Sequence, residues 1–417
     1  MLKIKKNVAI DLSLFHVNYN MHSKSQIMSD YCSSLAQENN LKFYLEDFDY
    51  KKFNNKNIEA KARTFRYEKL TDICTKNKIN YVLTAHHQDD QIETIYMAEN
   101  KNSSWVSKIG IRSKFDLYNK NNMKVCLIRP MLDIPKNEII QYSKKNSIDY
   151  FDDPTNIDVK FLRNKVRFKI KSKINNSKFR LKYLEISKLN KQKIQKISND
   201  IKCDFYDLVA HLKANDVCIL NKDLLIERNY DFIFLFFKKI LKEYFDFDDN
   251  VSSEKWKNLH IFLKSSRTGN SFELNEYLCV TKTRNYIYLY SKAASLDENK
   301  IVDCGNYFFR LGTISVSKSD IFVDFKKNEG ICIPFNFIDS LEINKWRYGD
   351  KCLSHNGSTI KVSDIFINNK LSLFHKQNYP ILKYSGKIIW IPNLYSFDNY
   401  SIKNNKEFFV LRWSINI

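Results

Sequence analysis

The chain has 417 residues, with 68 Lys or Arg against 47 Asp or Glu and a formal net charge of +21. That length exceeds one ordinary core and predicts two or three domains. No apolar run approaches the roughly 18 residues of a membrane span, and nine scattered cysteines with no CxxC pair argue against a structural zinc site and a secreted disulfide framework. A positive field of this size suits a polyanion, nucleic acid before an anionic membrane surface, and reduced thiols fit a cytoplasmic protein.

Lys3 to Asn18 reads as one strand, with Val8, Ile10, Leu12, Leu14 and Val17 apolar. Met28 to Asn39 reads as a helix with Ser29 and Asp30 as caps, and Leu41 to Leu45 as a short strand. Asn57 to Lys76 is the clearest helix: Asn57 can cap it, and Ile58, Ala62, Phe65, Leu70 and Ile73 recur at helical spacing. Within it Glu59 and Arg63 stand four apart, as a supporting ion pair would.

Ile79 to Leu83 reads as a buried strand leading into Thr84-Ala85-His86-His87-Gln88-Asp89-Asp90-Gln91-Ile92-Glu93-Thr94. Two imidazoles and two carboxylates thus stand where a strand ends and the helix Gln91 to Ala98 begins, the place where open α/β sheets bind ligands. The plain alternative is that Asp89 and Asp90 only stabilise a helix start. Strand and helix alternate through this region and predict a doubly wound, mostly parallel α/β sheet.

Further on, Val125 to Ile128 is a strand before Arg129-Pro130, and Pro135 to Lys145 starts and runs as a helix. Asp152 to Asn156 is a turn. Arg163 and Arg167 then share one helix face, a pairing that suits phosphate, although a solvated basic face has the same pattern. Phe168 to Lys196 reads as a Lys-rich helical arm or linker. Cys203 to Lys213 and Asp231 to Phe245 read as helices of a middle domain; Ser271 to Tyr290 and Val302 to Ile333 read as strands. Trp346 to Asp350 is a turn, Lys361 to Lys370 a short helix with Ser363 as its cap, and Ile388 to Pro392 a buried strand.

Four constellations stand in order: Asn57 to Arg63 with Arg66-Tyr67; His86-His87-x-Asp89-Asp90-x-x-Glu93-Thr94; Arg129-Pro130; and Asp153-x-x-Asn156 followed by Arg163-Asn164-x-x-Arg167. With His16-Val17-Asn18 they resemble the tRNA(Ile)-lysidine synthetases of the PP-loop ATP pyrophosphatase superfamily. Arg347-x-Gly349-Asp350 and Lys361 to Phe366 look like that family's C-terminal domain. The resemblance implies a PP-loop synthetase domain over 1–170, a basic helical arm and middle domain over 171–300, and a small α+β tRNA-binding domain over 301–417. It implies ATP, with Mg²⁺ brought by the nucleotide, adenylating C2 of the wobble cytidine of a CAU-anticodon tRNA(Ile), after which free L-lysine displaces AMP to give lysidine. It places Asp90 and Arg66 on the lysine, supported by His86, His87, Asp89 and Glu93. It places Arg163, Asn164 and Arg167 on the ATP, and Arg347, Lys361 and Lys370 on the tRNA. No protein-held metal is expected, no membrane partner is implied, and a homodimer is left open.

One departure bears on the chemistry. The resemblance implies a Ser-Gly-Gly-x-Asp-Ser loop after the first strand, whose backbone N–H groups cradle pyrophosphate, and only residues without Cβ let the backbone approach that closely. The first glycine here is Gly110. Residues 3–18 are therefore expected to fill a single strand slot, and a catalytically inactive tRNA-binding homologue becomes the alternative. A tRNA thiolase (which would want paired cysteines) and a His/Asp metallohydrolase fit less well.

Overall fold

The computed structural model describes residues 1–49, 58–118, 124–157, 162–213, 216–247, 251–292, 299–300, 303–325, 328–335, 341–354, 357–397 and 407–415. The chain divides into two compact units, Met1–Gln195 and Lys196–Ile417.

In the first unit α1 (Leu2–Lys5) is followed by β1 (Ser13–Asn18), α2 (Ser25–Glu38), β2 (Lys42–Asp47), α3 (Ile58–Lys76), β3 (Tyr81–Leu83) and α4 (Gln88–Asn100). Next come β4 (Lys114–Tyr118), β5 (Lys124–Ile128), α5 (Lys136–Lys145), α6 (Leu162–Ile170) and α7 (Ser177–Leu208), which carries the chain into the second unit. β1 pairs with β2 and β3 with β5, both in parallel, while β4 lies antiparallel on β5. This is the expected α/β alternation, and its parallel pairs are joined by helices because a parallel crossover needs about a dozen residues or more.

The sheet is in two pieces, and that corrects two expectations. Residues 3–18 are not one strand: Leu2–Lys5 is helical and only Ser13–Asn18 is extended. Nor is Ile79 to Leu83 a buried strand. Tyr81 is 64% exposed and Leu83 40%, because among the described residues β3 pairs on one side only and does not reach β1. One helix nonetheless covers both pieces. Phe15 of β1 packs in one cluster with Ala62, Ile58 and Phe65 of α3, and in another with Leu70 and Cys74 of α3 and Val82 of β3. The two sheet fragments therefore share a layer over α3, with a cleft between them. Where the sequence implied a continuous sheet, β1 and β2 form one fragment and β3, β5 and β4 another among the described residues.

Other local differences have local causes. The Asn57 cap and Phe161 lie outside the described residues. Glu59 and Arg63 form no ion pair, though both line the cleft. Phe168 to Lys196 is no free arm, since Tyr183 and Ile186 pack on Ile92 and Ile95.

The second unit is α+β. Val209–Lys213, Val217–Asn221, Ser271–Glu273, Leu278–Lys282 and Tyr286–Ser291 form an antiparallel sheet beside helices Tyr230–Tyr244 and Ser253–Ser265. The expected helix Cys203 to Lys213 thus ends at Leu208 and becomes a strand. Strand Phe408–Ile415 pairs with Gly312–Ser319 and Gly330–Pro334, and strand Lys387–Ile391 brings Trp390 into the core, fully buried, its indole N–H donating to Asn328 O at 3.0 Å. The tail helix is Val362–Asn368, preceded by Lys361; Ser363 lies inside it and is not its cap. No described helix is long and apolar enough to cross a membrane.

Candidate active site

α4 begins at an interlocked cap. His87 is extended, its ring Nδ1 accepts the Asp90 N–H at 3.4 Å, and Asp90 Oδ2 accepts the His87 N–H at 3.0 Å. This reciprocal arrangement satisfies two backbone donors that a helix start leaves orphaned. The plain reading of Asp90 as a helix-start residue is therefore true of one of its oxygens. One turn on, Ile92 and Ile95 are wholly buried with Ile170 and Tyr183, each such aliphatic burial contributing roughly 1.5–3 kcal/mol.

The opposite side of α4 is acidic and also buried. Asp89, Asp90 and Glu93 follow helical spacing and are 8%, 9% and 2% exposed. Carboxylates that deep must be paired, and three arginines meet them. Arg163 Nη2 donates to Asp90 Oδ1 at 2.9 Å and its Nε to Glu93 Oε2 at 3.1 Å. Arg167 Nε donates to Glu93 Oε1 at 2.8 Å and its Nη2 to Oε2 at 3.2 Å. Arg180 Nη2 donates to Asp89 Oδ1 at 2.8 Å, and Arg180 also holds Gln88 Oε1. Three carboxylates and three guanidiniums make a neutral block.

His86 sits at the rim of this block. Its Nδ1 lies 2.9 Å from Thr84 Oγ1 and accepts from Arg129 Nε at 3.4 Å, so the ring proton resides on Nε2. Burial, and then the Arg129 charge, push its pKa down to about 4. Asp90 opposes that shift, and Arg163 and Arg66 add to it. A folded pKa below the ordinary 6.5 means that the unfolded chain binds more protons between those values. The stabilisation is thus present above pH 6.5 and is lost as pH falls toward 4. Thermal melts are expected to drop from pH 7.5 to pH 5, and His86→Gln to flatten that slope; an unchanged slope would refute the protonation state.

These groups open on a cleft of about 1360 Å³ between the sheet fragments, lined among others by Arg66, His86, Asp90, Arg163, Asn164 and Arg167. The structure thus brings six of the residues singled out in the sequence to one cavity. His87, Asp89 and Glu93 stand behind it, in the cap and the acidic block. Asn164 Nδ2 donates to Thr155 O at 2.8 Å, which fixes the 154–157 turn against α6. Arg66 and Asp90 share the cleft, but the arginines that pair with Asp90 among the described residues are Arg163 and Arg167.

Comparison with known proteins identifies the fold around this cleft. Residues 1–174 match the family model described as a PP-loop domain. Over those residues the chain is similar to PP-loop domains. The chain is similar to the tRNA(Ile)-lysidine synthase of Rickettsia bellii (strain OSU 85-389), 32% identical over 209 residues, covering 48% of this chain and 47% of that one. It thus spans about half the length of that relative. It is also similar to the tRNA(Ile)-lysidine synthase of Enterococcus faecalis, 25% identical over 94% of this chain and 86% of the relative. The solved TILS C-terminal domain aligns over 29% of this chain and 98% of its own length, at 17% identity and a TM-score of 0.27.

Two residues of this site, Arg180 and Gln91, carried no sequence signal of their own, whereas Arg129 stood in the Arg129-Pro130 constellation. Arg180 sits in Ser-Lys-Phe-Arg with nothing to distinguish it. Gln91 is 3% exposed and ties α4 to Ile109 O at 3.0 Å and Ser187 Oγ at 3.1 Å. Arg129, also buried, donates to Arg112 O at 2.6 Å. Gly110 did leave a signal as the first glycine: its φ of +77° favours glycine, and a Cβ there would meet Gln91 Oε1 at 2.6 Å.

Proposed function

We propose that the chain acts in the manner of its relatives, as an ATP-using ligase that joins L-lysine to the wobble cytidine of a CAU-anticodon tRNA(Ile) in the cytoplasm. The observation that carries this reading is the shared cleft, where Arg66, His86, Asp90 and Arg163 converge from separate helices and loops of a domain similar to PP-loop domains. The ε-ammonium of lysine would approach the carboxylate side of the cleft. Arg66 would face an anion, and the neutral His86, with its proton on Nε2, would serve as a hydrogen-bond donor. ATP is the adenylating substrate, and Mg²⁺ would arrive with it; no group of three or more His, Cys, Asp or Glu among the described residues is placed to hold a metal. The backbone cradle that the resemblance implies does not fit this chain, since every residue lining the cleft from Ile10 to Phe15 carries a Cβ.

That absence favours a second reading, a tRNA-binding homologue without turnover. The two readings share the tRNA. Arg347, Lys361 and Lys370, all exposed in the second unit, are proposed to meet its backbone, within the proposed tRNA-binding domain 301–417. Binding of CAU-anticodon tRNA(Ile) should weaken steeply with salt, and replacing Arg347, Lys361 and Lys370 together by Gln should lower the slope of log K against log salt by about 3 × 0.9 if each neutralises one phosphate. Filter binding from 50 to 200 mM salt measures this, and an unaltered slope would reject the interface. Lysine incorporation into the same tRNA separates the ligase from the binder.

A further inference from the structure

The arginines around the cleft fall into two groups. Arg163, Arg167 and Arg180 are committed to Asp90, Glu93 and Asp89. Arg63 and Arg66 line the same cleft from α3, yet neither makes an ion pair with any described carboxylate. Both guanidiniums instead stack on the ring of Tyr67, with Arg63 Cζ 4.9 Å and Arg66 Cζ 5.3 Å from its centroid. The phenol of Tyr19 stands beside Arg66. Like charges one turn apart on a helix repel by roughly 0.2–0.5 kcal/mol, and here no described counter-charge offsets that cost.

We propose that Arg63 and Arg66, held on Tyr67, form a side-chain site for a polyphosphate. The site rests on the ATP-using reading above and names where the phosphates would go. Two guanidiniums within one helical turn match an anion with several charged oxygens, whereas the single carboxylate of lysine needs one. The cleft is larger than the roughly 300–1000 Å³ of ordinary ligand pockets and has room for a nucleotide. The paired arginines are poor candidates by comparison, because receiving a phosphate would strip a buried carboxylate of its partner. Glu59 and Asp11 also line the cleft. Glu59, one turn before Arg63 on α3, forms no ion pair with it and would repel an incoming anion.

Calorimetric titration of the full chain at low salt with inorganic pyrophosphate, ATP and L-lysine tests this. Pyrophosphate and ATP are expected to bind, Arg63→Gln and Arg66→Gln each to weaken both by roughly 10- to 100-fold, as loss of one charge-assisted hydrogen bond implies, and Glu59→Gln to tighten them. Circular dichroism confirms that each variant is folded. Failure of pyrophosphate and ATP to bind the unaltered chain would overturn the site, as would wild-type pyrophosphate affinity in Arg63→Gln. A loss of lysine affinity in Arg63→Gln with pyrophosphate unaffected would make the pair a carboxylate site and overturn it too. Lysine incorporation into tRNA is scored separately, so ATP bound elsewhere defeats this site and leaves the ligase reading standing.

Discussion

Lysine-dependent AMP release by this chain is expected to run at least about 10³-fold slower than in a relative that carries the Ser-Gly-Gly-x-Asp-Ser loop. Removing one preorganised donor to a developing anion costs about 10² to 10³ in rate, and a backbone cradle presents several. Arg63 and Arg66 can attract phosphate, but long side chains reorganise as the charge moves, whereas backbone N–H groups in a tight loop do not. The loss should therefore fall on the chemical step more than on ATP affinity. Single-turnover measurements with CAU-anticodon tRNA(Ile), at saturating ATP and lysine, read it directly. Rates comparable to those of the loop-bearing relative would show that this fold does not need the cradle.

Glu93→Gln is expected to destabilise the first unit by about 2–3 kcal/mol. Glu93 accepts from both Arg163 and Arg167, and its side chain is only 3% exposed. Breaking a buried pair by removing one partner costs about 3–5 kcal/mol; here the stranded arginines are 29% and 34% exposed and water recovers part of that. For a unit of this size the melting temperature should fall by about 4–12 °C. Arg163→Gln should cost less, because Arg167 still reaches both acids. Differential scanning calorimetry of the variants decides the matter, and a shift of less than about 1 °C for Glu93→Gln would mean that the block is ornamental to stability.

The two expectations bear on different parts of one site. The acid–arginine block fixes the walls of the cleft, which explains why Glu93 is buried behind it and touches no cleft surface. The resemblance placed Glu93 in support of lysine and Arg163 and Arg167 on ATP. The geometry ties all three together, so a substitution at Glu93 should displace both arginines and change catalysis through their position. Asp90 is likewise shared: one oxygen caps α4 and the other holds Arg163, so an approaching ammonium must compete with groups already bound.

Patterns of short range were legible in the sequence. The helical stripe of α3, the helix start at His87 to Asp90, the common face of Arg163 and Arg167, and the buried strand around Trp390 follow from periods of 3.6 and 2 and from capping chemistry. Those forces act between residues a few positions apart, so they can be read without a fold. That the first glycine of the sequence is Gly110 is legible in the same way.

What only the tertiary structure decided lies across long separations. Arg163 and Glu93 are 70 residues apart, Arg180 and Asp89 are 91, and Gln91 and Ser187 are 96; no local period relates them. Which acid each arginine meets depends on how α6 and α7 pack on α4, and that is set by the apolar contacts of Ile92, Ile95, Ile170 and Tyr183. The broken sheet is the same kind of fact. Val8 to Leu12 has the alternation of a strand, but a strand forms only beside a partner edge, and the segment runs directly into β1 with no chain left to cross over. Its pattern therefore stays unpaired, β3 keeps an exposed edge among the described residues, and the cleft between them lies open where Arg63 and Arg66 form no ion pair with a described carboxylate.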